Sequence, residues 1–491
     1  MHSLSSRSRS FSATLFAFLF CILPCFSHAQ TSPSSTLGGY LYLADPSALD
    51  TRLPAFLCPS GAKPPRLFSE ALASGLGDTL QRVIQPSTPI VCLLFKSPPA
   101  SDLTVVFAFP ENSSPERVAQ MAQSVGMTGG MSDGISLLAS NKETLALATK
   151  ELLTIKSLLN TNGNAPITTV FYAPLLENMG NALLKQPTTA QSIAALLSAE
   201  ILKEISSVQL TINPDLKPRR LDFVVQAKPN TALERFFNQP LPATNALIRN
   251  VPVDGPLRAS FSFDATLLAA VLQSGLAAVD PTQAAPLKER INTLFFTKGA
   301  AAFVLRDNSC TLLSVPESKI VGEQLIKQLS YNGLLSTTTQ LSSTSLPVIT
   351  PSFVAVVGKQ DALDLMPRAQ AILAQDKQSL LLLPANATVE KFPIQQLFRT
   401  DQKPTSLPAE QAVMSVCLAG DQAVVASRYE DAATFVRRVV LLDAAAPPLE
   451  AQKVFVDGAH LYLDYALFPN QPCYLTMRLG EGRARCAVVL P

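Results

Sequence analysis

Imidazole chemistry in this chain has to come from three histidines, and two of them, His2 and His28, lie within the first 29 residues. The third is His460, in the stretch HLYLDYALF. A period of two puts His460, Tyr462 and Asp464 on one strand face, with Leu461, Leu463 and Tyr465 on the other. A His/Tyr/Asp face could do acid–base work. No nucleophile neighbours it in sequence, however, and a solvated polar strand face is the expectation. One imidazole excludes multi-histidine metal sites, and HExxH is absent.

Two patterns could supply a nucleophile. Gly130-Met131-Ser132-Asp133-Gly134 fits GxSxG, an elbow that needs a strand before the serine and a helix after it. Here a Gly-rich loop precedes Ser132 and an apolar strand, Ile135–Ala139, follows, so the pattern reads as a hairpin turn. Ser60-Gly61-Ala62-Lys63 fits SxxK, but it sits in CPSGAKPP. Those prolines forbid the helix that would bring Lys63 beside Ser60, and no SDN or KTG follows. Asp361 with Asp364, and Glu430 with Asp431, read as helix-start charges that suit the N-terminal dipole. There is no Walker loop, no GxGxxG, no calcium loop and no Trp. The sequence therefore assigns no catalytic, cofactor-binding or metal-ligating residue.

The N-terminus carries the most specific signal. Arg7 and Arg9 precede an apolar run, Phe11–Phe26, and Ser27-His28-Ala29 offers small residues for cleavage before Gln30. The run falls short of the ~20 residues a spanning helix needs. Pro24 before Cys25 argues against a lipoprotein site. No later segment has transmembrane length, so the mature chain is expected to be exported to the periplasm, cell envelope or extracellular space. Of eight cysteines, Cys21 and Cys25 leave with the signal. Cys58, Cys92, Cys310, Cys417, Cys473 and Cys486 remain; six permit disulfides in fifteen pairings. On the apolar strands, Cys92, Cys310 and Cys417 equally suit buried free thiols.

The elements that would position any site follow a recurring grammar: a β-hairpin running straight into a helix. It is clearest at Ala412–Leu442, where two β-rich runs flank Gly420-Asp421 and Ser427 with Glu430 could form a capping box. It recurs at Gly134–Leu153, where ISLLAS leads to Asn141 and a helix, and at Ala301–Leu329, where FVL, RDNS and CTLLS lead to Pro316-Glu317. Ile90–Gln123 and Val208–Phe237 show it again, each reaching a helix with a Glu-Arg pair. Strand-to-helix junctions stand at Tyr40–Pro46, Thr168–Leu184, Ala259–Leu272 and Phe353–Leu365.

Together these predict an α+β fold with mostly antiparallel sheets and helices packed on one face. The layout is a signal peptide at 1–29, a Ser/Thr/Pro leader at 30–37, diverged strand–helix–hairpin–helix modules at 38–160, 165–245, 255–340 and 350–445, and β-strands at 450–491. Linkers are expected at Thr161–Pro166, Gln239–Pro256, Ser336–Pro351 and Asp443–Pro448.

A chain of 491 residues, 47% hydrophobic, can bury large cores. Charged residues make up 15%, and 39 Lys and Arg against 37 Asp and Glu leave a net charge of +2. That balance gives no footprint for nucleic acid. The expectation is a non-catalytic binding or scaffold protein of the cell envelope, with a protein or an apolar ligand as partner. The alternatives are an exported hydrolase using Ser132 or the His460 face, and a carrier of an apolar ligand.

Overall fold

The computed structural model describes 36–45, 88–96, 103–110, 114–124, 126–160, 167–185, 193–213, 219–240, 257–295, 300–305, 310–314, 345–349, 353–358, 360–361, 363–364, 380–389, 392–399, 414–420, 422–441, 459–465 and 474–490. The signal peptide, Ser60 and Lys63 lie outside the described residues, as do the linkers Thr161–Pro166 and Asp443–Pro448. The fold is α+β, and its sheets are built from antiparallel pairs. The chain divides into two compact units, Met1–Gln191 with Ile205–Gln226, and Ser192–Glu204 with Ala227–Pro491. Among the described residues no helix is long and apolar enough to cross a membrane.

Among the described residues of the first unit, seven strands form one paired run: β1 (Thr36–Leu43), β2 (Ile90–Lys96), β3 (Leu103–Pro110), β4 (Thr128–Ser132), β5 (Ile135–Ala139), β6 (Ile167–Tyr172) and β7 (Ile205–Asn213). They pair in the order β4–β5–β3–β2–β1–β6–β7. β2 reads IVCLLFK and is buried from Ile90 to Phe95, which marks a central strand covered on both faces. Helices α1 (Pro115–Ser124), α2 (Lys142–Lys150) and α3 (Leu152–Asn160) follow β3 and β5. Val118 and Ala122 of α1 lie so close to β4 that a Cβ on Gly129 would come within 2.6 Å of the Val118 carbonyl oxygen. Asn141 caps α2 by accepting from Thr144 N at 2.8 Å. Ala148 of α2 and Ile155 of α3 share a core with Tyr42, Leu93, Val106 and Leu137. Helix α4 (Ala173–Lys185) starts directly after β6 and places Leu175 against Gly38 of β1. The next strand, β8 (Arg219–Ala227), is tied back to β7 where the Ser206 hydroxyl donates to the Gln226 carbonyl at 3.0 Å.

The second unit uses β9 (Leu257–Ser262), β10 (Ala300–Leu305), β11 (Cys310–Ser314), β12 (Ser345–Ile349), β13 (Phe353–Gly358), β14 (Leu380–Val389), β15 (Phe392–Arg399), β16 (Met414–Ala419), β17 (Gln422–Ala426), β18 (Leu461–Tyr465), β19 (Tyr474–Gly480) and β20 (Arg483–Leu490). Ten of them form one sheet in the order β14–β15–β16–β17–β13–β10–β9–β18–β19–β20. Cross-strand partners share a face. One row therefore runs Ile394, Cys417, Val424, Val356, Ala302, Ser260, Tyr462, Thr476, Ala487. Among the described residues its helices include α5 (Ile193–Lys203), α6 (Ala232–Phe237), α7 (Ala265–Gly275), α8 (Pro281–Leu294) and α9 (Tyr429–Leu441).

Four expectations change here. Helices do not keep to one face of this sheet. Ala432, Phe435 and Val436 of α9 pack on the row carrying Val424 and Tyr462. Phe236 of α6 instead meets Phe263 edge-on at 5.5 Å, and Phe263 stands by Phe261, which alternation turns to the opposite face. A strand such as β17, buried at Ala423, Val424, Val425 and Ala426, needs cover on both sides. β11 does not form a hairpin with β10: β9 and β13 occupy both edges of β10, and β11 pairs with β12. The stretch Ser336–Pro351, read as a linker, contains that β12 strand. Finally, α9 begins at Tyr429, with Ala432 N donating to the Arg428 carbonyl at 3.4 Å, so Arg428 rather than Ser427 takes the capping position.

Candidate functional site

His460 precedes β18 and is pinned by backbone before its ring does anything. Its N–H donates to the Met477 carbonyl and its carbonyl accepts from Ser262 N, both at 2.8 Å. The residue is fully buried. Leu479 N donates to Nδ1 at 3.0 Å, and Nε2 lies 3.0 Å from the Pro240 carbonyl oxygen. An acceptor at Nδ1 fixes the tautomer: Nε2 carries the proton and donates it to Pro240. Burial holds the imidazole below its ordinary pKa, opposed in part by the bond to Pro240. Both nitrogens are committed to backbone groups, which leaves neither for proton transfer to a substrate.

This overturns the solvated strand face. Tyr462 is buried as well, and its ring stacks on Tyr474 at 5.7 Å with 20° between planes. Asp464 lies opposite Tyr474 and Arg258 in register, four residues beyond His460.

Around the imidazole the chain 238–240 forms a strap. Asn238 Oδ1 accepts from Gly482 N at 2.6 Å. Gln239 donates from Nε2 to the Phe236 carbonyl at 2.9 Å and accepts at Oε1 from Asp264 N at 2.6 Å. Sequence reasoning placed a linker from Gln239 onward; its first two residues are instead fastened to α6, to the start of α7 and to His460. Glu204 was missed too. Its carboxylate accepts from Leu233 N at 2.8 Å and from the Ser274 hydroxyl at 2.6 Å, joining α6 to α7. These partners lie 29 and 70 residues away, beyond any local pattern.

Ser132 is the last residue of β4. Asp133 and Gly134 follow at φ 51° and 76°, the positive pair of a tight two-residue hairpin turn, and β5 begins at Ile135. No helix follows the serine, so the elbow is not built. The Gly-rich stretch before it is strand, with Gly129 opposite Leu138 and Gly130 opposite Leu137. Asp133 pairs with Lys156 Nζ at 2.8 Å on the exposed side of α3. Among the acidic pairs, Glu430 and Asp431 stand in the first turn of α9, and Asp364 accepts from Gln360 Nε2 at 3.3 Å.

Cys92, Cys417 and Cys486 are free thiols. Burial pushes Cys92 up to about 12 and Cys417 up to about 11, and raises Cys486 as well. Cys58 and Cys473, and the side chain of Cys310, lie outside the described residues. Among the described residues no group of three or more His, Cys, Asp or Glu could hold a metal ion.

Compared with known proteins, the chain matches no protein-family model, and no curated protein or solved structure matches it significantly.

Proposed function

We propose that this chain is an exported, non-catalytic binding or scaffold protein of the cell envelope, with a protein as its partner. The observation that carries the reading is the state of His460: the imidazole left after signal cleavage is spent on two backbone bonds inside a core. Ser132, at the end of β4 beside a hairpin turn, has no helix dipole behind it and no elbow strain. The export half of the reading rests on the N-terminal Arg7, Arg9, Phe11–Phe26 and Ser27-His28-Ala29 pattern.

Modular repetition supports a scaffold. In β3–α1–β4–β5–α2 the lone strand pairs with the second strand of the hairpin, giving β3–β5–β4. In β13, β16, β17 and α9 the order is β13–β17–β16. Both hairpins leave through similar residues, Leu137-Leu138-Ala139-Ser140 with Glu143 and Val424-Val425-Ala426-Ser427 with Glu430. We read these as two copies of one unit, the second interrupted by the β14–β15 hairpin.

The test is cross-linking and recovery of the tagged native protein from the envelope fraction, beside turnover assays on ester and peptide panels. A stoichiometric protein partner and no turnover are expected, with a mature N-terminus at Gln30. Turnover that disappears in Ser132→Ala would overturn the reading in favour of a hydrolase. Recovery from the cytoplasm with Met1 intact would overturn the export half.

A further inference from the structure

We propose that His460 is an acid-sensitive latch, holding the Asn238–Pro240 strap against β18 and β19 while neutral and releasing it on protonation. The argument begins with the direction of each hydrogen bond. Leu479 N–H points at Nδ1 from 3.0 Å, so Nδ1 must offer a lone pair. Protonation puts a second N–H on that line, and two donors face each other inside a buried site. The ring cannot rotate to help, because Nε2 is engaged with Pro240 on its other side. To accept the proton, the imidazole must leave this position.

Among the described residues no counter-charge is bonded to the ring, both of whose nitrogens meet backbone groups. On α6, Glu234 is committed to Asn230 N at 2.6 Å, and Arg235 is exposed. At the start of α7, the Asp264 carboxylate is committed to the N–H and hydroxyl of Thr266. On β19, Arg478 is exposed and shares the sheet face opposite to that of Leu479. At the β19–β20 turn, Glu481 is held by Arg483 and Arg485. Asp464 of β18 is paired in backbone register with Arg258 of β9, four residues along from His460. Burial lowers the ring's affinity for a proton, opposed in part by the Pro240 bond.

The strap is what the latch controls. Pro240 follows Asn238 and Gln239, which reach Gly482 and Asp264 through single side-chain bonds. Losing the His460 anchor frees one end of a three-residue bridge between α6, α7 and the β19–β20 turn. The sign is fixed by linkage: the latched form prefers the neutral ring, so its stability is complete above the ordinary histidine value of ~6.5 and declines as pH falls below it. One proton sets the steepest dependence at about tenfold per pH unit.

Amide hydrogen exchange on the full mature protein from pH 7.5 to 5, corrected for intrinsic rates, tests this. The amides of Leu479, Gly482 and Asp264 should hold their protection down to about pH 6.5 and lose roughly tenfold by pH 5.5, while those of Val91–Phe95 in β2 stay constant. In His460→Gln, which keeps a polar side chain without a titrating ring, the step should vanish. Flat protection at Leu479 to pH 5 would overturn the proposal. So would loss at Leu479 and β2 together, which is global acid unfolding, or an unchanged step in His460→Gln. Should that variant fail to fold, the wild-type comparison of Leu479 with β2 decides alone.

Discussion

Removing the His460 imidazole leaves the Leu479 N–H buried without its acceptor and strips the Pro240 carbonyl of its donor. An unsatisfied buried group costs about 1–3 kcal/mol, and the lost ring adds packing to that. His460→Ala is therefore expected to destabilise by about 2–4 kcal/mol, read as a shift of the urea midpoint at unchanged m. Period-two alternation argued for a solvated face, on which the same change would be nearly neutral. Alternation grouped His460 with Tyr462; the cover was not legible, since Tyr462 lies under α9 and the imidazole is bonded to Pro240, 220 residues away. The free cysteines make a second residue-scale expectation. With burial holding its thiol near 12, Cys92 has almost no thiolate at pH 8. Iodoacetamide on the native protein should leave Cys92 and Cys417 unmodified while the partly exposed Cys486 reacts, as mass spectrometry of peptides would show. Rapid alkylation of Cys92 without denaturant would contradict its place in β2.

Where two elements approach closely, glycine decides whether they can. Beside the bulge between Leu37 and Gly39, a Cβ on Gly39 would stand 2.3 Å from the Val170 carbonyl oxygen of β6. That neighbour is backbone in a paired strand, so it cannot give way without breaking the β1–β6 ladder. Gly129 meets α1 in the same manner, at the Val118 carbonyl oxygen and the Ala122 Cβ. Gly39→Ala and Gly129→Ala should each destabilise the first unit by about 1–3 kcal/mol, the usual range for overpacking. Gly126→Ala meets no atom within 4 Å and suffers only the strain of its positive φ, 70°. Ranking the three by thermal melting tests the packing argument; equal losses would show that backbone strain alone was at work. The β16–β17 hairpin and the Asp133-Gly134 turn into β5 were legible because turn, strand and cap lie close together in the chain, whereas the Gly-rich β4 read as loop. The partner of β11 was not, since a strand's neighbour depends on which edges remain open, and β10 had none.

At the scale of the whole molecule, the chain leaves the second unit and returns to it. Residues Ser192–Glu204 belong there, Ile205–Gln226 belong to the first unit, and Ala227 resumes the second. The two ends of that excursion touch: Lys228 N donates to the Glu204 carbonyl at 2.7 Å. Nothing in local composition announced this: Val208–Phe237 read as an ordinary hairpin running into a helix, and 193–203 carried no reading of its own. Helix α5 is nevertheless integral to the second unit. Leu197 fills the space above Gly275 and packs on the core of Leu276, Val279 and Ala284. Glu204 at its end caps α6 and holds Ser274. A fragment starting at Ala227 therefore loses its Leu197 contact and leaves the Leu233 N–H without its carboxylate. A fragment starting at Ser192 with 205–226 replaced by two glycines keeps both, and closing so short a gap costs little chain entropy. The glycine-bridged fragment should melt cooperatively, whereas the fragment from Ala227 should bind a hydrophobic dye and aggregate. Equal behaviour of the two in calorimetry and light scattering would show that α5 is dispensable and that the unit boundary lies at Ala227.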